Sequence, residues 1–250
     1  MKYKIIFAAL LISSLSSCKK DFLEIPSETN LTSATFFKTQ GDFEKAVSGA
    51  YAPLRALYNN PAANNSSAFF MGEMHSDNTH YILNPNFRAT IDQEQNADFI
   101  YDAASAIATN KYTTNYLIIA RANQVLALID GVDFDAAVKS NLKGQAYFLR
   151  AFSYFDLVQY YGKVPLHLAP VTSLGETYLP LSSVDSVYDQ IIADAAQAAS
   201  LLPAKSAQEA GRATSGSAKT LLGNVYMVLK DYGSAESVLK EVVNSGEYSL

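Results

Sequence analysis

In separate runs between Thr113 and Gly246 apolar side chains return at every third or fourth residue, and that period restricts these runs to helices before any other feature is weighed. The first run passes through Tyr116, Ile119, Asn123, Leu126 and Ile129 to Gly131, a residue suited to a left-handed C-terminal cap. A second begins near Asp135, follows Val138, Leu142, Ala146 and Leu149, and enters FSYFDLVQYYG. That stretch is apolar nearly all round and is therefore expected to be buried on several sides. Gly162 closes it, and Val164-Pro165-Leu166 starts an extended connection. A third helix is expected from about Ser183 to Leu202, with Ser182 and Asp185 in capping-box spacing and Pro203 as its stop. Its buried stripe is Val187, Tyr188, Ile191, Ile192, Ala195 and Leu202. Upstream, Gly41 to Tyr58 sets Phe43, Ala46, Val47, Ala50, Tyr51, Leu54 and Leu57 on one face, with Thr39 and Asp42 as its capping box and Pro53 as an internal kink. Residues 59 to 111 begin NNPAANNSS and hold no sustained period, so they are expected to be long and irregular.

The last helical pair carries a repeat signature. Leu222-Gly223, Tyr226, Ala235 and Leu239 fall at the Leu-Gly, Tyr, Ala and Phe positions of the tetratricopeptide spacing, a repeat of about 34 residues. Gly223 and Ala235 are small enough to let two antiparallel helices approach, while Leu222, Tyr226 and Leu239 fill the seam. Lys219 stands where the repeat prefers Trp, and Glu247 where it prefers Pro; in the earlier pair only Gly144 and Tyr147 keep the spacing. The expected fold class is all-α: tetratricopeptide-like helical repeats, an α-solenoid, with long irregular loop insertions. A solenoid needs a polar capping end, yet GEYSL follows a repeat helix directly, so a C-terminal half is expected to be missing.

Ahead of the repeats, Lys2 and Lys4 precede an unbroken apolar run from Ile5 to Ile12, then small polar residues up to Cys18, the single cysteine of the chain. This is the pattern of a secretory leader, and the run is far short of the ~20 residues that cross a hydrocarbon core. Leu15-Ser16-Ser17-Cys18 resembles a bacterial lipobox, which implies that Cys18 is lipidated and becomes the new N-terminus. Several acyl chains at about 0.8 kcal/mol per buried methylene would anchor the chain stably. With Cys18 so used, the mature chain has no thiol for a disulfide, a zinc site or a nucleophile. Losing Lys2 and Lys4 with the leader moves the formal charge from -5 to -7 and leaves no basic run beyond Lys19-Lys20, which excludes nucleic acid as a natural partner. The expected division is a leader over 1–17, a lipidated linker over 18–40 and a helical-repeat domain over 41–250.

Five stretches in register resemble one family, the SusD/RagB-like outer-membrane nutrient-binding lipoproteins. They are CKKDFLEIPSE, TFFKTQGDFEKAVSGAYAPLRAL, MGEMHSDN, GQAYFLRAFSYFDLVQYYGKVPL and ATSGSAKTLLGNVYMVLKDYGSAESVLKEVVNSGEYSL. The resemblance implies the N-terminal half of such a protein, working without catalysis or cofactor. It implies a lipid-anchored position on the outer membrane, facing the exterior, and capture of an oligosaccharide or peptide for a SusC-like TonB-dependent barrel transporter.

Sugar recognition draws on flat aromatic faces and planar polar groups, and the chain has 16 Tyr and 13 Phe but no Trp. The candidate residues lie in MHSDNTHYILNPNFR: Asp77, Asn78, Asn86 and Arg88 to hydrogen-bond a ligand, Tyr81 and Phe87 to stack on it. The competing reading is a loop whose Asp and Asn satisfy its own backbone. Ser140-x-x-Lys143 and Ser76-Asp77-Asn78 match fragments of a serine β-lactamase signature, but in the wrong order and without Lys-Thr-Gly. Glu73, His75, Asp77 and His80 lack a helical metal-ligand spacing, so no metal is expected. His167 has no polar neighbour in sequence and is expected to be solvated or locally bonded. A different class remains open: a tetratricopeptide scaffold lipoprotein of outer-membrane assembly, which would share anchor and repeats but has no need of the aromatic first helix or the irregular segment.

Overall fold

A computed structural model describes residues 33–58, 67–80, 85–86 and 91–249; Cys18, Tyr81, Phe87 and Arg88 lie outside the described residues. The chain divides into two compact units, Met1–Phe36 and Phe37–Leu250. Of the first, a single helical turn at Ser33–Phe36 is described. In the second, every regular element among the described residues is a helix. Among those residues no helix is long and apolar enough to cross a membrane.

The body is a stack built from α1 (Gln40–Tyr51), α2 (Leu54–Tyr58), α3 (Ser67–Met71), α4 (Ile91–Ala97), α5 (Ala106–Leu128), α6 (Ala136–Tyr161), α7 (Val184–Leu201), α8 (Ser215–Val228) and α9 (Tyr232–Asn244). From α5 onward each helix packs on its successor, and α1 lies across both α5 and α6. Side-chain pairs give the sense of each packing. The start of α6 meets the end of α7 (Gly144 on Leu202) while Arg150 meets Asp194 further along, so the two run antiparallel. Lys111 of α5 reaches Asp156 near the end of α6, and Lys219 of α8 reaches Glu241 of α9, with the same consequence.

The local chemistry of the helix ends explains their positions. The Thr39 backbone and hydroxyl both donate to the Asp42 carboxylate, at 2.9 and 2.8 Å, which closes the expected box and holds that carboxyl below its ordinary pKa. Pro53 breaks the helix rather than kinking it: α1 ends at Tyr51 and α2 begins at Leu54, because proline has no N–H to continue the ladder. α5 starts at Ala106, seven residues before the periodic run, where the Ser105 hydroxyl accepts from the Ala108 N–H. Its first turns bury Lys111, Thr114 and Asn115 as well as Ile107, and a buried polar stripe gives an apolar count nothing to register. Gly131 is not a left-handed cap; α5 tightens into a 3₁₀ turn over Ile129–Gly131 that leads to extended Val132. Gly162 closes α6 with φ of 66° and ψ of -109°, a positive-φ conformation that favours glycine. The cap of α7 is Ser183, bonded to the Ser186 N–H at 3.1 Å, one residue later than the expected Ser182–Asp185 pair. The Ser182 N–H instead donates to the Val164 carbonyl at 3.1 Å. Residues 59 to 111 are less irregular than their composition suggests, since α3, α4 and the start of α5 fall inside them; pieces of five to seven residues are too short to show a period.

The core follows from the stack. Ile119 of α5, Tyr154 and Leu157 of α6, Val187 and Ile191 of α7 and Val225 of α8 are all fully buried in one cluster. Phe43 and Val47 seal a second one over Ala122, Val125 and Ala146. Each large side chain so buried contributes about 1.5–3 kcal/mol. The repeat geometry is present in the last pair: a Cβ on Gly223 would lie 2.5 Å from the Leu239 Cδ2, and Ala235 beside it is buried. A Cβ on Gly144 would likewise lie 2.8 Å from the Leu202 Cγ, so α6 and α7 form the same kind of pair with residues 162–183 inserted between them.

Candidate ligand-binding site

The loop that follows α3 folds on one carbonyl. The Glu73 oxygen accepts from the hydroxyls of Ser76 and Thr79, and the Ser76 hydroxyl in turn accepts from the Asn78 N–H at 3.3 Å. Asp77 and Asn78 are left exposed at the tip, with Asn86 also exposed further along. Two histidines brace this loop against residues 96–101. The His75 Nε2 and Asn96 Oδ1 are 2.8 Å apart, and the His80 Nε2 lies 3.2 Å from the Asp98 carboxylate. The His75 ring stacks on Phe99 and on Tyr101, at centroid distances of 4.4 and 5.6 Å. Phe99 is 64% exposed and holds a φ of 60°, a costly conformation for an aromatic residue. Among the described residues no three His, Cys, Asp or Glu side chains gather as metal ligands. Of the enzyme-like fragments, Ser140 donates to the Leu201 carbonyl across the α6–α7 pair and Lys143 pairs with Asp130.

Beside this braced loop opens a cleft of about 520 Å³ whose walls include Tyr101, Asp102, Tyr112, Tyr160 and Tyr161. Pattern reading of the 74–88 segment missed these residues, because they come from the loop before α5, from α5 itself and from the C-terminal turn of α6. The signal was the Tyr160-Tyr161-Gly162 end of the buried helix, which also reads as plain core. Its support is unusual. Lys111 is 1% exposed, with its ammonium 2.8 Å from Asp156 and 4.1 Å from the centre of the Tyr160 ring. The other Asp156 oxygen accepts from the Asn115 amide at 2.7 Å. A buried cation against the ring and a satisfied carboxylate behind it fix the orientation of Tyr160.

A second cleft, of about 560 Å³, runs between α5 and the connection 163–178. The connection is strapped down by side chains of both long helices. The Tyr116 hydroxyl donates to the Pro165 carbonyl at 2.7 Å, the Asn123 amide to the His167 carbonyl at 2.8 Å and the Tyr154 hydroxyl to that same carbonyl at 2.9 Å. Arg150 adds a bond to the Leu168 carbonyl at 3.2 Å while its other nitrogens grip both Asp194 oxygens at 2.7 Å. His167 is half-buried; its backbone is held across the fold by Asn123 and Tyr154, and its ring meets Tyr116 edge-on at 5.8 Å. Burial pushes the phenols of Tyr116, Tyr154 and Tyr161 far above their ordinary value, and that of Tyr58 to about 12. These hydroxyls stay protonated near neutrality and remain hydrogen-bond donors.

A family model described as "Starch-binding associating with outer membrane", the SusD-like family, matches residues 21–227. The chain belongs to the SusD-like family. The match runs through the irregular segment as well as the repeats. SusD-like protein P38 of Formosa agariphila is 28% identical over 240 residues, which is 94% of this chain and 44% of that protein. This SusD-like chain therefore spans less than half the length of that relative. Among solved structures, a laminarin-binding SusD-like protein superposes with a TM-score of 0.72 at 26% identity, covering 82% of this chain and 44% of the other. A SusD superfamily protein from Bacteroides vulgatus gives a TM-score of 0.75 at 23% identity, over 86% and 46%, and shares the fold.

Proposed function

We propose that this chain binds an oligosaccharide reversibly in the tyrosine cleft beside the 73–80 loop and leaves it chemically unchanged. The observation that carries the reading is the fixed face of Tyr160 over buried Lys111, flanked by Tyr101, Tyr112 and the Asp102 carboxylate. Flat aromatic faces take the apolar side of a pyranose, and planar polar groups take its hydroxyls. Asp77 and Asn78, exposed on the braced loop, supply further polar groups, and Tyr81, Asn86, Phe87 and Arg88 belong to the same proposed face. The family description and the laminarin-binding relative support a glucan as ligand. The wider reading is a lipoprotein held on the outer membrane through Cys18, facing the exterior and delivering its ligand to a SusC-like TonB-dependent transporter. Calorimetry with laminari- and malto-oligosaccharides tests the site: Tyr160→Ala is expected to weaken binding about tenfold, the loss of roughly 1.4 kcal/mol of stacking. Unchanged affinity would remove Tyr160 from the site, and appearance of cleaved sugar would overturn the non-catalytic reading.

A further inference from the structure

The two clefts share a wall. Tyr112 lines both the tyrosine cleft and the one beneath the strap 163–178. It also lies within a continuous row of rings that runs from the end of α6 across α5 to the strap. Tyr161 meets Tyr112 edge-on at 5.2 Å, Tyr112 meets Tyr116 at 4.7 Å, and Tyr116 meets His167 at 5.8 Å. The row starts beside Tyr160 and ends at His167, in the strap itself. Each step is comparable to one pyranose residue of an extended glucan. The chemistry also changes along the row: the tyrosine cleft offers a part-exposed Tyr160 and a carboxylate, whereas the strap cleft is lined by Ile119, Pro165, Pro170 and Val171 together with Gln124 and Arg121. Arg121 donates to the Gly49 carbonyl and keeps further N–H donors for a hydroxyl-rich ligand.

We infer that the two clefts are consecutive subsites of one groove, joined at Tyr112, and that the ligand is an oligosaccharide long enough to occupy both. This rests on the glycan reading above and adds to it the direction and length of the bound chain. The strap subsite is rigid because four bonds donated by Tyr116, Asn123, Tyr154 and Arg150, and a fifth donated by the His167 N–H to the Tyr154 hydroxyl, hold residues 165–168 in place. A preformed wall of this kind gives affinity to the far end of a long ligand without a fresh ordering cost.

The test is calorimetry on a size series, disaccharide to heptasaccharide, of both laminari- and malto-oligosaccharides. In the unsubstituted protein affinity for one series is expected to rise with length by about tenfold or more beyond the shortest binder. Val171→Asp, at a site 45% exposed and clear of the core, and Thr177→Glu, also exposed, should each flatten that rise. Tyr160→Ala should lower affinity at every length. A rise that persists in both strap variants, or no rise in the unsubstituted protein, would overturn the joined groove and leave the tyrosine cleft standing alone. Failure of every saccharide to bind would overturn the glycan reading and the groove with it.

Discussion

Arg150 shows how much of this fold depends on single polar side chains in its interior. Its guanidinium is gripped by Asp194 in a two-pronged pair, bonds the Asn123 amide oxygen at 2.8 Å and reaches the Leu168 carbonyl, so one residue joins α5, α6, α7 and the strap. Burial pushes the Asp194 carboxyl up from its ordinary value, against the pull of the Arg150 fork. Taking both ions out of water is costly, and the pair is tolerated because its lone pairs and protons are satisfied. Removing one partner leaves the other charge buried alone. Arg150→Met is therefore expected to cost about 3–5 kcal/mol in chemical denaturation, and pairing it with Asp194→Leu should recover most of that loss. A cost below about 0.5 kcal/mol for the single change would mean that the pair is solvated and does not hold the helices together.

At the scale of elements, two glycines in helices separate propensity from packing. Gly49 in α1 has open space where a Cβ would go, while in α8 the Gly223 Cβ would lie 2.5 Å from Leu239. Alanine gains about 1 kcal/mol of helix propensity at either site. At Gly49 nothing opposes that gain, so Gly49→Ala should raise the unfolding midpoint. At Gly223 overpacking of about 1–3 kcal/mol outweighs it, so Gly223→Ala should lower the midpoint, and adding Leu239→Ala should reduce the damage of the first change. Equal effects at both glycines would mean that α8 and α9 do not pack closely. The α8–α9 seam was legible from Leu222, Gly223, Tyr226, Ala235 and Leu239, because small and large residues at fixed spacing state the repeat directly. The front of α5 was not, because Lys111, Thr114 and Asn115 are polar and buried, and polarity alone reads as solvent. The short helices α3 and α4 were hidden by their length. For the proposed site, composition pointed to Asp77 and Asn78, of which the structure shows only that they are exposed, and it did not point to the tyrosine cleft. Tyr101, Tyr112 and Tyr160 come together only when α5 and α6 lie antiparallel, and no local spacing encodes that meeting.

For the whole molecule, attachment is the property with the plainest test. Residues 1–17 have the order of a secretory leader and Cys18 follows a lipobox-like triplet, so acylation there is the proposed means of holding the repeat body at a membrane. Cys18→Ala should release the protein into the soluble fraction and abolish incorporation of labelled fatty acid. Retention in the membrane after a salt wash would mean that something other than lipid binds it.

The hydrogen bond from Ser182 to Val164 has a further consequence for how such a molecule changes over generations. It brings the two ends of the strap together, so residues 170–181, beyond the bonded 165–169, form a loop that returns to nearly the same place. A loop closed in this way can lengthen, shorten or be exchanged at an entropic cost that grows only with the logarithm of its length, about 0.6 kcal/mol per doubling. The antiparallel pairing of α6 with α7 need not shift to accommodate it. Among the described residues of the strap only 165–169 are bonded to α5 and α6, so under the proposed groove the remainder of the strap could be revised without orphaning the buried donors of Asn123, Arg150 and Tyr154.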